Sequence, residues 1–172
     1  MIPKLPFGTI AHLGWAVKDI EQTIKNFELM GLGPWRRYIL GEADGGHDFA
    51  YREYEGGMEN RCKVALAKWG NIVVELFDPI TLKGGKFPIV ENYLANHGEG
   101  IWHFGYSVTR EQFDATIVEM EKVGIKIIGR SEYKNGVRMT FLDPNKTGGI
   151  IFQLHDCPPK MEDFFDTMGI MV

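Results

Sequence analysis

The chain has 172 residues, 44% of them hydrophobic and 24% charged, enough to bury a packed core and outside the disordered and fibrous classes. A formal charge of −4 argues against nucleic acid, whose phosphates need clustered cations; Arg36, Arg37 and Arg52 are isolated basic spots. The start, M-I-P-K-L-P-F-G, has no apolar signal core, no run reaches the roughly 18 apolar residues of a membrane span, and Cys62 and Cys157 lack C-x-x-C spacing, so the expectation is a cytoplasmic protein with reduced cysteines and no membrane partner.

Residues 9–17 alternate like a strand, with Ile10, His12, Gly14 and Ala16 on one face and Ala11, Leu13, Trp15 and Val17 on the other. Asp19 then caps a helix carrying Ile20, Ile24, Phe27 and Met30, which Gly31 to Pro34 ends. A short strand at 35–40 leads into 41–59, whose glycines mark turns around a further strand near 49–54. Strands follow at 62–68 and 71–77, then a helix from Pro88 to Asn96 and a second histidine strand at 101–108. Thr109 caps a helix with Phe113, Ile117, Met120 and Val123; strands at 125–130, 137–142 and 149–155 complete the series, with an Asn-Gly turn inside 131–136. A tail with an amphipathic stretch, Met161 to Met168, is expected to pack outside the sheet.

The two halves repeat. I-A-H-L-G-W-A-V at 10–17 matches I-W-H-F-G-Y-S-V at 101–108, and G-N-I-V-V-E-L-F-D at 70–78 matches G-G-I-I-F-Q-L-H-D at 148–156. The expected fold is α+β: two βαβββ modules forming a curved mixed sheet around a metal-binding cavity. The modules are 1–80 and 101–157, with a linker and short helix at 81–100 and a tail at 158–172. The histidine face is small, carrying Gly14 and Gly105 beside the histidines, which leaves volume above the sheet. The other face, with Trp102, Phe104 and Tyr106 in the second copy, is bulky and suits helix packing.

If the modules pair about a pseudo-two-fold axis, His12, Glu75, His103 and Gln153 converge. Imidazole and oxygen donors without thiolate suit a divalent Zn, Ni, Co, Mn or Fe ion with open positions for substrate. A carboxamide takes no proton at neutral pH, so a metal-bound base must be Glu75. His155 shares the parity of Gln153 and is the second candidate acid or base, at the cavity mouth. His47, Glu53 and Glu55 lie in the 41–59 stretch, read first as a solvated loop and second as a candidate lid; Trp35, Tyr38, Phe49 and Tyr51 are candidate pocket walls, with core packing as the commoner reading of such aromatics.

The runs V-A-L-A-K-W-G-N-I-V-V-E-L-F-D-P, Y-L-A-N-H-G-E-G-I-W-H-F-G-Y-S-V and F-L-D-P-N-K-T-G-G-I-I-F-Q-L resemble the vicinal oxygen chelate superfamily over residues 9–157, with methylmalonyl-CoA epimerase and glyoxalase I as the nearest families. The resemblance implies paired βαβββ modules around a divalent metal and a homodimer. It departs from the epimerase pattern, which puts Gln where Glu75 stands and a metal-bound Glu where Gln153 stands; V-A-L-A at 64–67 also lacks the expected second glutamate base. The expected function is a metal-dependent isomerase, epimerase or lyase acting on a carbon next to a carbonyl of a small-molecule substrate, through a metal-stabilised enolate and Glu75. A single base favours a 1,2-shift over two-base racemisation. The alternatives are a non-haem Fe(II) dioxygenase, whose facial triad is two His and one carboxylate, and a non-catalytic small-molecule binding or resistance protein.

Overall fold

The structure, a computed structural model, describes residues 10–40, 61–132 and 138–156, with the side chains of 131 and 132 outside that set. The candidate lid at 41–59, the Asn135-Gly136 turn, Cys157 and the tail lie outside the described residues.

The described elements run β1 (Ile10–Ala16), α1 (Ile20–Leu29), β2 (Arg36–Leu40), β3 (Cys62–Trp69), β4 (Ile72–Asp78), α2 (Pro88–His97), β5 (Gly100–Ser107), α3 (Arg110–Lys122), β6 (Ile127–Glu132), β7 (Arg138–Leu142) and β8 (Ile151–His155). The strands form one curved, open eight-stranded sheet in the order β2-β3-β4-β1-β5-β8-β7-β6. β1 and β5 meet antiparallel at its centre, and each has the last strand of its own half beside it in parallel, β4 against β1 and β8 against β5. The strand order therefore reads the same outward from the β1–β5 seam, and both histidine strands are central.

The caps form as their residues dictate. Asp19 accepts from Gln22 N, and Thr109 and Gln112 close a reciprocal capping box at the start of α3. Two strands start later than the spacing predicts. Gly124 takes a left-handed conformation (φ 77°) and Ile125 N bonds back to Met120 O, so residues 123–126 cap the helix and lead out of it, and β6 begins at Ile127. Gly148 and Gly149 are also left-handed, and Gly149 N bonds to Pro144 O, which delays β8 to Ile151.

Both faces of the sheet are covered. On the outer face, Ile20 and Ile24 of α1 pack with Ala65, Ala67, Val74 and Leu76, and Phe113, Ile117 and Met120 of α3 pack with Leu142 and Leu154. Trp35, a candidate pocket wall, belongs to this outer layer: it stacks on Phe27 and donates to Leu32 O. On the inner face, α2 and the preceding Phe87 pack with Ala16, Phe77 and Trp102, which closes one end of the concave side.

Trp102 departs from simple alternation, which would put it on the outer, bulky face. Gly14 pairs with His103 but Trp15 pairs with Ile101, so Trp102 is an extra residue in β5. The bulge turns its ring onto the inner face, 4.1 Å from the His103 ring and against Phe77 and Phe141. A matching irregularity sits at Ala11, since Ile10 pairs with Tyr106 and His12 with Gly105. Each histidine thus comes directly after a bulged residue, and the pseudo-two-fold relation extends to the distortions of the two strands.

Candidate metal centre

Two rungs cross the centre of the sheet. In one, Glu75 lies beside Gly14, which lies opposite His103; in the other, Gln153 lies beside Gly105, which lies opposite His12. A Cβ built on Gly14 would overlap the His103 ring, and one on Gly105 would overlap the His12 ring. The volume that the glycines leave is therefore filled by the partner histidine. This crossed seating turns the two rings toward each other, with Nε2 of His12 2.9 Å from Nε2 of His103.

Glu75 Oε2 lies 3.7 Å from His12 Nε2, and one ligand atom each from His12, Glu75 and His103 lie within 4.8 Å of one another. Two donors bonded at about 2.1 Å to one ion stand at most about 4.2 Å apart, so a small side-chain adjustment brings all three within one ion's reach. Gln153 sits close to His12, while its amide donates only to the weak acceptor Met139 Sδ at 3.6 Å. Its Oε1 and His103 Nδ1 are buried and find no hydrogen-bond partner among the described residues. An unpaired carbonyl oxygen beside converging imidazole nitrogens and a carboxylate fits a divalent cation in type and placement.

Burial sets the protonation of the cluster. His12 is lowered to about 4 by desolvation, partly opposed by Gln153, and Glu75 is raised to about 8 by desolvation, partly opposed by the Tyr38 hydroxyl. His103 is held well below the ordinary imidazole range by burial, then by repulsion from His12 and His155. Burial therefore favours the neutral forms of the imidazoles and of the carboxyl, a set that a cation would reorganise.

His155 is fully buried rather than at a cavity mouth. It stacks on the His12 ring at 5.3 Å and 19° and meets Ser107 Oγ at 3.4 Å. Burial, then His12, holds it well below the ordinary range. Phe77 is its counterpart, two residues beyond Glu75 as His155 is beyond Gln153, and contacts the His103 ring edge-on at 5.8 Å. Among the residues that sequence reasoning did not assign to the cluster are Gly14 and Gly105 as ring seats, Trp102, and the Tyr38 hydroxyl. The H-x-G spacing in both copies was the signal that pointed to the glycines.

An open mixed sheet with two histidines and a carboxylate converging from repeated strands defines a protein of the vicinal oxygen chelate fold. The chain belongs to the Glyoxalase/Bleomycin resistance protein/Dioxygenase superfamily, whose family model matches residues 11–141. An uncharacterized protein of Bacillus subtilis strain 168, YqjC, is 26% identical over 153 residues, covering 87% of this chain and 91% of YqjC. The methylmalonyl-CoA epimerase of Mycobacterium tuberculosis has a similar fold, with a TM-score of 0.61 at 18% identity and coverage of 94% and 96% of the two chains. A variant of Streptomyces coelicolor methylmalonyl-CoA epimerase in complex with 2-nitronate-propionyl-CoA gives 0.58 at 18% identity, covering 87% and 94%. No described helix is long and apolar enough to cross a membrane.

Proposed function

We propose that the protein is a metal-dependent isomerase or epimerase acting on a carbon next to a carbonyl, with His12, Glu75, His103 and Gln153 holding a divalent ion and Glu75 moving the proton. The observation that carries this reading is the 2.9 Å approach of the two Nε2 atoms, with Glu75 Oε2 beside them and the unpaired Gln153 Oε1 in the same buried centre. A bound ion would polarise the substrate carbonyl and stabilise negative charge developing on its oxygen. Gln153, a carboxamide, orients but cannot accept a proton, which leaves Glu75 as the base among the four. A single base supports a 1,2-shift, in which Glu75 returns the proton to the neighbouring atom; epimerisation by the same carboxylate requires the planar enolate to turn its other face to Glu75 before the proton returns. His155 is the second proton-handling candidate, a neutral imidazole joined to Ser107. The 2-nitronate-propionyl-CoA bound by the similarly folded Streptomyces coelicolor methylmalonyl-CoA epimerase variant supports an acyl-CoA or similar carbonyl compound as substrate.

Elemental analysis of protein purified without chelator tests the metal, with about one divalent ion per chain expected; a metal-free, inactive chain would favour a binding protein, and oxygen-labile iron a dioxygenase. Deuterium uptake from D2O into a panel of acyl-CoA thioesters and 2-oxo acids tests the chemistry. Wild type should exchange the α-hydrogen of at least one of them, and Glu75→Gln should lose that exchange while keeping the fold. His155→Phe copies the Phe77 arrangement, so it preserves ring packing; a 10²- to 10⁴-fold fall in exchange is expected of a proton-handling group, and full activity would assign His155 to packing alone.

A further inference from the structure

Tyr38 lies on the edge strand β2, with β3 between it and Glu75 on β4. Tyr38 lies opposite Val64 and Val64 opposite Phe77, so Glu75 is two residues along β4 from Tyr38's own rung. The diagonal of two strand spacings and two residue steps, roughly 12 Å, is one that only a long side chain can bridge. The Tyr38 hydroxyl does bridge it, donating to Glu75 Oε1 at 3.3 Å. The other carboxyl oxygen, Oε2, is the one directed at His12 Nε2. Gln153, in the equivalent place of the other half, is held differently: its amide donates to the Met139 thioether, its side chain lies against His12, and no hydroxyl donates to Oε1 among the described residues.

We propose that Tyr38 is the positioning residue of the centre, holding Oε1 of Glu75 so that the carboxylate presents Oε2 alone as a one-oxygen ligand beside the two imidazoles. The ligand half of this inference rests on the metal-binding reading above; the hydrogen bond does not. A carboxylate with both oxygens free can rotate or chelate through both, and would occupy a position that substrate oxygen needs. Fixing one oxygen from the far side keeps the other aimed inward, as hydrogen-bonded partners commonly do for metal-binding carboxylates. Tyr38 also packs beside the inner core cluster, so Tyr38→Phe removes the donor while keeping the ring.

Infrared difference spectroscopy on the chelator-treated protein tests the hydrogen bond without any metal. The Glu75 carboxyl band is the one lost in Glu75→Gln, and it should move to higher wavenumber in Tyr38→Phe; an unmoved band would overturn the proposal whatever the metal data show. Titration with Co(II) tests the ligand half. Tyr38→Phe should bind Co(II) 10- to 100-fold more weakly, with altered visible bands as Glu75 changes its mode of coordination. A moved infrared band with unchanged Co(II) affinity and spectrum would overturn the positioning role. Wild type that takes up no Co(II), with the band still moving, would instead sink the proposed function and leave Tyr38 as the holder of a buried carboxyl.

Discussion

At the scale of single residues, the centre depends on two side chains that are absent. Gly14 and Gly105 make room for the rings of His103 and His12, and neither ring has an easy retreat: His103 is fully buried and ringed by Trp102, Phe77 and Phe141, and His12 is stacked on His155. Adding a methyl group at either seat overfills a closed space, at a cost of about 1–3 kcal/mol. Gly14→Ala is therefore expected to fold with a lowered Tm and to push His103 off its partner, so that divalent metal uptake falls at least tenfold. Calorimetric titration with Zn(II) alongside thermal unfolding reads both effects. Unchanged uptake would mean that the glycine matters only for packing. Conversely, Ala16, next along the same face of β1, packs among apolar neighbours and carries no ring, so a substitution there should alter stability without this selective loss.

At the scale of elements, each half closes on a buried aspartate that ties its last strand to neighbouring segments. Asp78 accepts from Ile20 N at the start of α1 and from Ile80 N and Thr81 N beyond β4, while Asp156 accepts from the backbone and guanidinium of Arg138. Asp78→Ala leaves Ile20 N without its acceptor in a buried setting and Ile80 N, Thr81 N and the Thr81 hydroxyl without theirs in a partly buried one, so it should cost about 3 kcal/mol, against about 1 kcal/mol for removing the exposed Thr109 cap. Paired denaturant melts of the two variants check the order, and a larger loss from Thr109→Ala would contradict it. Features of this kind were partly legible in the sequence. Caps, turns and alternation are local, so α1, α3 and the strand series could be read from Asp19, Thr109 and the repeated H-x-G phrase. The duplication also brought His12, Glu75, His103 and Gln153 into one group, because equivalent strands in paired modules face each other. The Trp102 bulge was not legible: alternation assigned its ring to the outer face, and only the pairing of β5 with β1 inserts the extra residue. The Tyr38–Glu75 contact escaped for the same reason, since it spans β3 and depends on the register of three strands.

At the scale of the whole molecule, the buried centre fixes how stability responds to pH when no metal is bound. His12 has its folded-state pKa lowered from 6.5 to about 4, and His103 and His155 are lowered well below 6.5. Below about pH 6.5 the unfolded chain binds more protons at these three sites than the folded one, so stability is present above that pH and is lost as the pH falls. Glu75 acts in the opposite sense: its pKa is raised from 4.5 to about 8, so the folded state holds the extra proton and stability is lost as the pH rises toward 8. Between about pH 4.5 and 6.5 three imidazoles oppose one carboxyl and the acid loss prevails, whereas above about 6.5 only the carboxyl acts. The metal-free protein should therefore have its highest Tm near pH 6.5 and decline on both sides. Glu75→Gln removes only the alkaline decline, and metal should do the same by displacing the carboxyl proton, releasing about one proton per ion at pH 7 and progressively fewer above pH 8. Thermal melts of chelator-treated wild type and Glu75→Gln across pH, with Zn(II) titrations in buffers of different ionisation enthalpy, measure both. A wild-type profile that stays flat between pH 6.5 and 8, or metal uptake with no proton release at pH 7, would mean that Glu75 is already ionised in the folded chain and that the centre is more polar than its burial implies.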